Sequence, residues 1–176
     1  MCLKDIKKEK VIEDPKFYEK LAKGYHKFYQ KKGKEESSDN RSWEQLPPNI
    51  KADNIAAAKR LIRNLSLIGF QVVDKHDERK EAPEYEVNKA IKKFESFLAE
   101  EEHKGWMETK LQNGWRYGEK RDDSKKIHPC LRPFKELPEK EKMKDIYQIY
   151  NYPKIVKEAG LKIVNTGEVS PVLAQT

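Results

Sequence analysis

The feature that most restricts the fold of this 176-residue chain is an internal repeat. In its first part the second copy follows the first by a constant 77 positions, and in its later part by 91 positions. The matched residues are Phe17 and Phe94, Leu21-Ala22 and Leu98-Ala99, His26-Lys27 and His103-Lys104, Tyr29 and Trp106, then Trp43 and Phe134, Leu46-Pro47 and Leu137-Pro138, Gly69 and Gly160, and Val72-Val73 and Ile163-Val164. Two constant separations indicate a duplicated helix-loop-helix unit, each half too small to bury its apolar face alone.

The difference between the two separations places an insertion of 14 residues in the second copy. The insertion lies between the first helix of that copy and Leu137-Pro138, and it corresponds to the block from Gly114 to His128. The first copy lacks this block. We therefore expect two related but unequal halves with a cleft between them.

Helix signals accompany each copy. Asp14-Pro15 provides an N-cap residue followed by a proline at the first helical position. Apolar residues then recur at spacings of three and four, as in Leu21, Tyr25 and Phe28. The second copy is predicted to begin with one longer helix that starts near Glu84. The patterns predict an all-α fold of two tandem helix-loop-helix repeats packed with approximate two-fold symmetry, with short extended segments at the repeat ends.

These signals also predict the organisation of the chain as one compact body. A flexible N-terminal segment is expected at residues 1–12 and the degenerate first repeat at 13–73. A charged linker is expected at 74–85, the second repeat with its insertion at 86–164, and a flexible tail at 165–176.

Several polar residues are expected to have structural roles. Glu102 continues the buried stripe of its helix, and a buried carboxylate needs a cation or several hydrogen-bond donors. Within the insertion, Asp122 and Asp123 can hold the loop through charge-assisted hydrogen bonds. His128 and Pro129 are predicted to form an extended exit from the loop.

The insertion and the residues after it carry a resemblance to a known family. Gly-Trp-x-Tyr-Gly-x-x-Arg-Asp-Asp-x-x-Lys-x-His-Pro-x-Leu, followed by Pro-Phe-x-x-Leu-Pro-x-x-Glu-Lys, spans residues 114–142 and resembles the ryanodine-receptor (RyR) repeat. The first copy resembles a degenerate repeat without the Gly-Trp-x-Tyr-Gly block. The chain is similar in size to stand-alone prokaryotic and phage members of this family.

The resemblance implies that the chain is a binding module and not an enzyme. It implies no cofactor. It also implies a possible adenine-nucleotide ligand between aromatic residues of the two copies, which here are Tyr29 and Trp106. A base can stack between two such rings. The other candidate ligand-binding residues are His26, His103, Trp115, Arg116, Tyr117, Arg121 and Lys125.

Three alternatives remain open at this point. Tyr29 and Trp106 could be core residues, because an aromatic side chain on a helix face usually is. The module could bind a protein partner with no small ligand. The formal net charge of +7 permits nucleic-acid binding. Acidic residues alternate with the basic ones, however, which makes nucleic acid the least favoured partner.

Metal binding and membrane insertion are not expected. Cys2 and Cys130 have no metal-site spacing, and the histidines do not complete a set of three ligands. Residues 1–8 lack the apolar core of a secretory signal, and no apolar run reaches the length of a membrane span. The prediction is a soluble, cytoplasmic protein.

Overall fold

The structure is a computed structural model that describes residues 14–32 and 39–174. The predicted N-terminal segment at residues 1–12 lies outside this described part. The first copy contains α1 (Pro15–Lys32), a 3-10 turn (Trp43–Gln45), α2 (Pro48–Leu67) and β1 (Ile68–Asp74). The rest contains α3 (Glu84–Lys93), α4 (Glu95–Gln112), β2 (Arg116–Tyr117), β3 (Ile127–His128), a second 3-10 turn (Phe134–Glu136), α5 (Glu139–Tyr150), α6 (Tyr152–Glu158) and β4 (Leu161–Val169).

The predicted all-α class is wrong, because the extended segments at the two repeat ends pair with each other. β1 and β4 form an antiparallel sheet, and β2 and β3 form a small parallel one. About 59% of the described residues are helical and 14% are in strands, so the fold is mixed. In β1 the apolar residues Ile68, Phe70, Val72 and Val73 are buried, and Gln71 is exposed.

The register of this sheet relates the two copies. Val72 lies directly opposite Ile163, and these two residues occupy equivalent positions in the repeat. Phe70 pairs with Asn165 and Asp74 pairs with Leu161, symmetrically about that central pair. An approximate two-fold axis therefore passes between Val72 and Ile163.

The predicted tail and linker both take part in this sheet. β4 runs through residue 169, and the amide of Ser170 donates to the carbonyl of Leu67 at 2.9 Å. Leu173 is buried in the core. The described part of the predicted tail is therefore folded against the core. In the predicted linker, the amide of Ala82 donates to the carbonyl of Ile163 at 2.8 Å, which brings that charged loop back to β4.

The single long helix predicted from Glu84 is two helices, α3 and α4. The chain turns at Phe94, whose φ of −114° is outside the helical region. The turn lets Ile91 and Leu98, which are fully buried, both reach the core. Phe94 packs against the same core from the outside of the bend.

The helices of the two copies pack against each other as well as within each copy. α1 contacts both α2 and α6, and α4 contacts both α5 and α2. The contact between α1 and α6 is close, because a Cβ atom at Gly24 would lie 2.5 Å from the Cβ atom of Ala159. No helix in the described part of the chain is long and apolar enough to cross a membrane.

Candidate ligand-binding site

A cavity of about 760 Å³ lies where the two copies meet. Its volume is within the range of about 300–1,000 Å³ that is typical of small-molecule sites. Four helices line it, two from each copy. The lining residues are Tyr25, Tyr29 and Lys32 of α1, Asp53, Asn54, Ala57 and Arg60 of α2, Glu102 and Trp106 of α4, Lys144, Asp145, Tyr147 and Gln148 of α5, and Asn151.

Most of these residues are related by the repeat. The equivalent pairs are Tyr25 and Glu102, Tyr29 and Trp106, Asp53 and Lys144, Asn54 and Asp145, Ala57 and Gln148, and Arg60 and Asn151. Both members of each pair face the same space. The cavity is therefore built around the relation between the copies, and neither copy forms it alone.

Tyr29 and Trp106 both lie in the cavity wall, as the repeat suggests. Tyr29 is 37% exposed, and its hydroxyl donates a hydrogen bond to Oε1 of Gln148. Trp106 stacks on the ring of His103 with centroids 5.6 Å apart, and it meets the edge of His128 at 5.0 Å. Two histidine rings therefore fix the indole in place while the cavity side of Trp106 remains available.

The two repeat histidines have equivalent roles in the loops. Nε2 of His26 bonds the carbonyl of Arg41 at 2.6 Å, and Nε2 of His103 bonds the carbonyl of Arg132 at 2.8 Å. The bonded arginines are themselves 91 positions apart. Each histidine therefore holds the loop that precedes the 3-10 turn of its copy. His26 does not line the cavity, whereas His103 supports it from behind Trp106.

Glu102 forms the buried floor of the cavity. Its carboxylate receives hydrogen bonds from Nε of Arg60 at 3.1 Å, from Nδ2 of Asn64 at 3.4 Å and from the hydroxyl of Tyr152 at 2.6 Å. These contacts supply the cation and the donors that a buried carboxylate requires. Burial acts to lower the pKa of Arg60, but the Glu102 carboxylate outweighs it and the pKa is raised.

The hydroxyl of Tyr25 has a different status. Tyr25 lines the cavity, is almost completely buried, and its hydroxyl has no hydrogen-bond partner among the described residues. Burial and the nearby charge of Glu102 raise its pKa well above the usual range, so it is a neutral donor. An unsatisfied buried hydroxyl costs about 1–3 kcal/mol.

Charged side chains surround the cavity, and most of them are paired. Lys110 contacts Asp53 at 2.8 Å. Asp145 contacts Nδ1 of His103 at 3.2 Å. Burial acts to lower the pKa of His103, but the hydrogen bond and charge of Asp145, together with the hydrogen bond to the Arg132 carbonyl, outweigh it and the pKa is raised. Lys32 is near the amide of Asn151, at 3.5 Å, and has no carboxylate partner in the part of the chain that the structure describes.

A second, smaller cavity of about 210 Å³ adjoins the first. It shares Trp106, Lys144 and Asp145 with the larger one. Its other lining residues are His103, His128, Cys130, Leu137 and Glu141. Burial and the carboxylate of Glu141 raise the pKa of Cys130 to about 11, so Cys130 is a thiol at neutral pH.

The structure does not bring the insertion residues into the larger cavity. Trp115 contacts the edge of His128 at 6.3 Å, and Lys110 lies over its ring at 5.0 Å. Arg116 and Tyr117 form the exposed strand β2. Arg121 pairs with Asp123 at 2.6 Å, and Asp122 accepts hydrogen bonds from the Ser124 hydroxyl and the Lys125 amide. Pro129 follows β3 and is half-buried. The block therefore orders itself and supports Trp106 through His128.

The polar residues of α2 and α5 are the part of the site that sequence reasoning missed. Asp53, Asn54 and Arg60 interrupt an apolar helix, and they align with Lys144, Asp145 and Asn151 at the same 91-residue separation. Applying the repeat to polar positions would have found them. Among the described residues, no group of three or more histidine, cysteine, aspartate or glutamate side chains is placed to hold a metal ion.

The family model described as RyR domain matches residues 81–165. The match covers α3, α4, the insertion, α5, α6 and most of β4. It excludes α1, α2 and β1, and of these α1 and α2 complete the cavity from the other side.

Proposed function

Because this chain belongs to the RyR domain family through residues 81–165, we propose that it is a non-catalytic binding module that holds an adenine-nucleotide-type ligand in the larger cavity. The observation that carries the proposal is the placement of Tyr29 and Trp106. They come from equivalent positions of the two copies and line the same 760 Å³ space.

Stacking is the first source of affinity. A nucleobase between aromatic side chains gains about 1–3 kcal/mol per stacked base. Trp106 is held by His103 and His128, and Tyr29 is held by Gln148, so little side-chain freedom is lost when a base binds. A pre-ordered pair of rings is better suited to a planar ligand than to a flexible apolar chain.

Polar groups supply the second source. Lys32, at the edge of the cavity, can meet a phosphate because no described carboxylate neutralises it. This lysine favours a ligand with both a base and an anionic end.

The test is a thermal-shift and calorimetry panel with ATP, ADP, ADP-ribose and cyclic AMP. A ligand at about 100 times its Kd stabilises the folded state by about 2.7 kcal/mol. For a chain of this size, that corresponds to a rise in Tm of roughly 5–11 °C. We expect at least one nucleotide to give such a rise with the unaltered protein.

Matched variants separate the cavity from the rest of the surface. Trp106→Ala and Tyr29→Ala should each weaken nucleotide binding by about tenfold or more. Tyr85→Ala removes a tyrosine that is 70% exposed and does not line the cavity, so it should bind like the unaltered chain. An unchanged Tm across the whole panel, or equal binding by Trp106→Ala, would contradict the proposal.

A protein partner is the second candidate, and exposed aromatic residues favour it. Tyr147 is 61% exposed at the edge of the cavity, and Tyr117 in the insertion is 49% exposed. Aromatic residues of this kind are enriched at protein interfaces. If no nucleotide binds, light scattering of the purified chain with and without Tyr117→Ser and Tyr147→Ser tests self-association through these residues.

A further inference from the structure

Tyr29 and Trp106 occupy equivalent positions in the cavity, but the charged residues around them are not equivalent. Asp53 in the first copy is replaced by Lys144 in the second, and Asn54 is replaced by Asp145. Tyr29 and Trp106 alone would let a planar ligand bind in either of two related orientations. The charged positions must therefore select the orientation.

Asp145 is the carboxylate best placed to do so, because it stands in the wall shared by the two cavities. Its side chain is 19% exposed, and Oδ2 contacts Nδ1 of His103 at 3.2 Å. His103 is itself fixed through Nε2 by the carbonyl of Arg132 at 2.8 Å. Among the described contacts none uses Oδ1 of Asp145. A held carboxylate with one open oxygen is an acceptor for ligand hydroxyl groups.

The other carboxylates around the two cavities are less available. Both oxygens of Glu102 are bonded, to Arg60 and to Asn64 and Tyr152. Both oxygens of Glu141 receive Lys144. Asp53 keeps one carboxylate oxygen without a bond, but its side chain is 35% exposed and it lines the larger cavity and not the smaller one.

The size of the smaller cavity limits what it can hold. At about 210 Å³ it is below the roughly 300 Å³ at which pockets for whole drug-sized ligands begin, so it fits one small ring. Trp106 and Leu137 give it apolar walls, and Asp145 and Lys144 give it polar ones. It adjoins the face of the site where a base would stack on Trp106. The group attached directly to such a base is its sugar.

We propose that the smaller cavity holds the ribose of the bound nucleotide and that Asp145 accepts hydrogen bonds from its 2′- and 3′-hydroxyl groups. The ligand is then a ribonucleotide, oriented with its sugar toward the second copy. The inference rests on the proposed function and adds to it the chemical class of the ligand and its direction in the cavity.

The experiment compares ADP, 2′-deoxy-ADP and 3′-deoxy-ADP by calorimetry with the full chain. The unaltered protein should bind ADP about tenfold or more tightly than the deoxy compounds, since a hydrogen bond to a charged acceptor is lost with each hydroxyl. Asp145→Asn, which copies the residue of the first copy, should reduce the preference to within about threefold. Asp53→Asn tests the opposite direction of the ligand and should keep the preference, and Asp74→Asn, at a carboxylate that lines neither cavity, is the control.

The outcomes distinguish this inference from the proposed function. Equal binding of ADP and the deoxy compounds by the unaltered chain would overturn the ribose assignment and leave nucleotide binding standing. Loss of the preference in Asp53→Asn in place of Asp145→Asn would overturn the assigned direction. Failure of ADP, ATP, ADP-ribose and cyclic AMP to bind would overturn both. If Asp145→Asn does not fold, the comparison of ADP with the two deoxy compounds in the unaltered chain still tests whether the ribose hydroxyl groups are bound.

Discussion

Arg60 and Glu102 form a buried ion pair between α2 and α4, and replacing Arg60 with methionine tests how much this pair contributes to folding. The Arg60 side chain is 13% exposed and the Glu102 side chain is 3% exposed. Methionine keeps most of the volume but removes the charge. The Glu102 carboxylate would then retain only the neutral donors Asn64 and Tyr152.

The expected loss is large because the remaining charge stays buried. Removing one partner of a buried pair costs about 3–5 kcal/mol. The total free energy of unfolding of a domain is about 5–15 kcal/mol, so Arg60→Met should remove a large part of it. For a chain of this length the loss corresponds to a fall in Tm of roughly 6–20 °C.

The measurement is urea unfolding of the unaltered chain and three variants. Arg63→Met is the matched control, because Arg63 pairs with Glu101 between the same two helices at 2.6 Å but is 51% exposed. That exposed pair should contribute less than about 1 kcal/mol. The double variant Arg60→Met with Glu102→Gln removes both charges and should recover most of the stability lost in Arg60→Met.

Two results would refute this reasoning. One is a loss in Arg60→Met no larger than that in Arg63→Met, which would mean that burial of the pair does not matter. The other is a double variant that is no more stable than Arg60→Met alone. In that case the cost would come from lost packing of the arginine side chain, and not from an uncompensated carboxylate.

Three further predictions concern other parts of the molecule. Gly24→Ala should lower the free energy of unfolding by about 1–3 kcal/mol, because its Cβ would lie 2.5 Å from that of Ala159, and adding Ala159→Gly should restore part of the loss in the same urea assay. Tyr25→Phe should leave the unfolding free energy unchanged or raise it by about 1 kcal/mol in the urea assay, since it removes an unpartnered buried hydroxyl. The pKa of His103 is raised in the folded protein. Its contact with Asp145 therefore stabilises the fold fully below the ordinary histidine pKa of about 6.5, and this stabilisation is lost as the pH rises through the folded-state pKa. In urea unfolding, Asp145→Asn should lose more stability at pH 5.5 than at pH 8.5.

The repeat in the sequence was sufficient to predict the pairing of Tyr29 with Trp106 across one cleft. It carried this information because helical spacing sets the face on which a residue lies, and a constant separation sets which faces correspond. The same separation relates the carbonyls of Arg41 and Arg132, which the repeat histidines bind. Polar positions of α2 and α5 were missed because the matched positions of the two copies did not include residues from the interior of these helices.

The sheet could not be predicted from local patterns, because β1 and β4 lie about 90 residues apart in the chain. Local patterns show that each segment is extended, but pairing depends on how the helices place the two ends. The position of the insertion residues depends on tertiary structure for a related reason. They are neighbours in sequence, yet Arg116 and Arg121 do not line the larger cavity, and Arg121 bonds within the loop to Asp123.

The antiparallel pairing centred on Val72 and Ile163 has a consequence for the origin of this chain. Equivalent residues that face each other across an antiparallel sheet are what two identical chains would produce around a true two-fold axis. A single ancestral copy could therefore have self-associated through this strand and formed a symmetric version of the cavity. Fusion of two such copies frees each half to diverge, as the insertion and the replacement of Asn54 by Asp145 illustrate. Residues 81–165 alone would lack α1 and α2, which form one side of the cavity, so an excised fragment would regain a cavity only as a dimer.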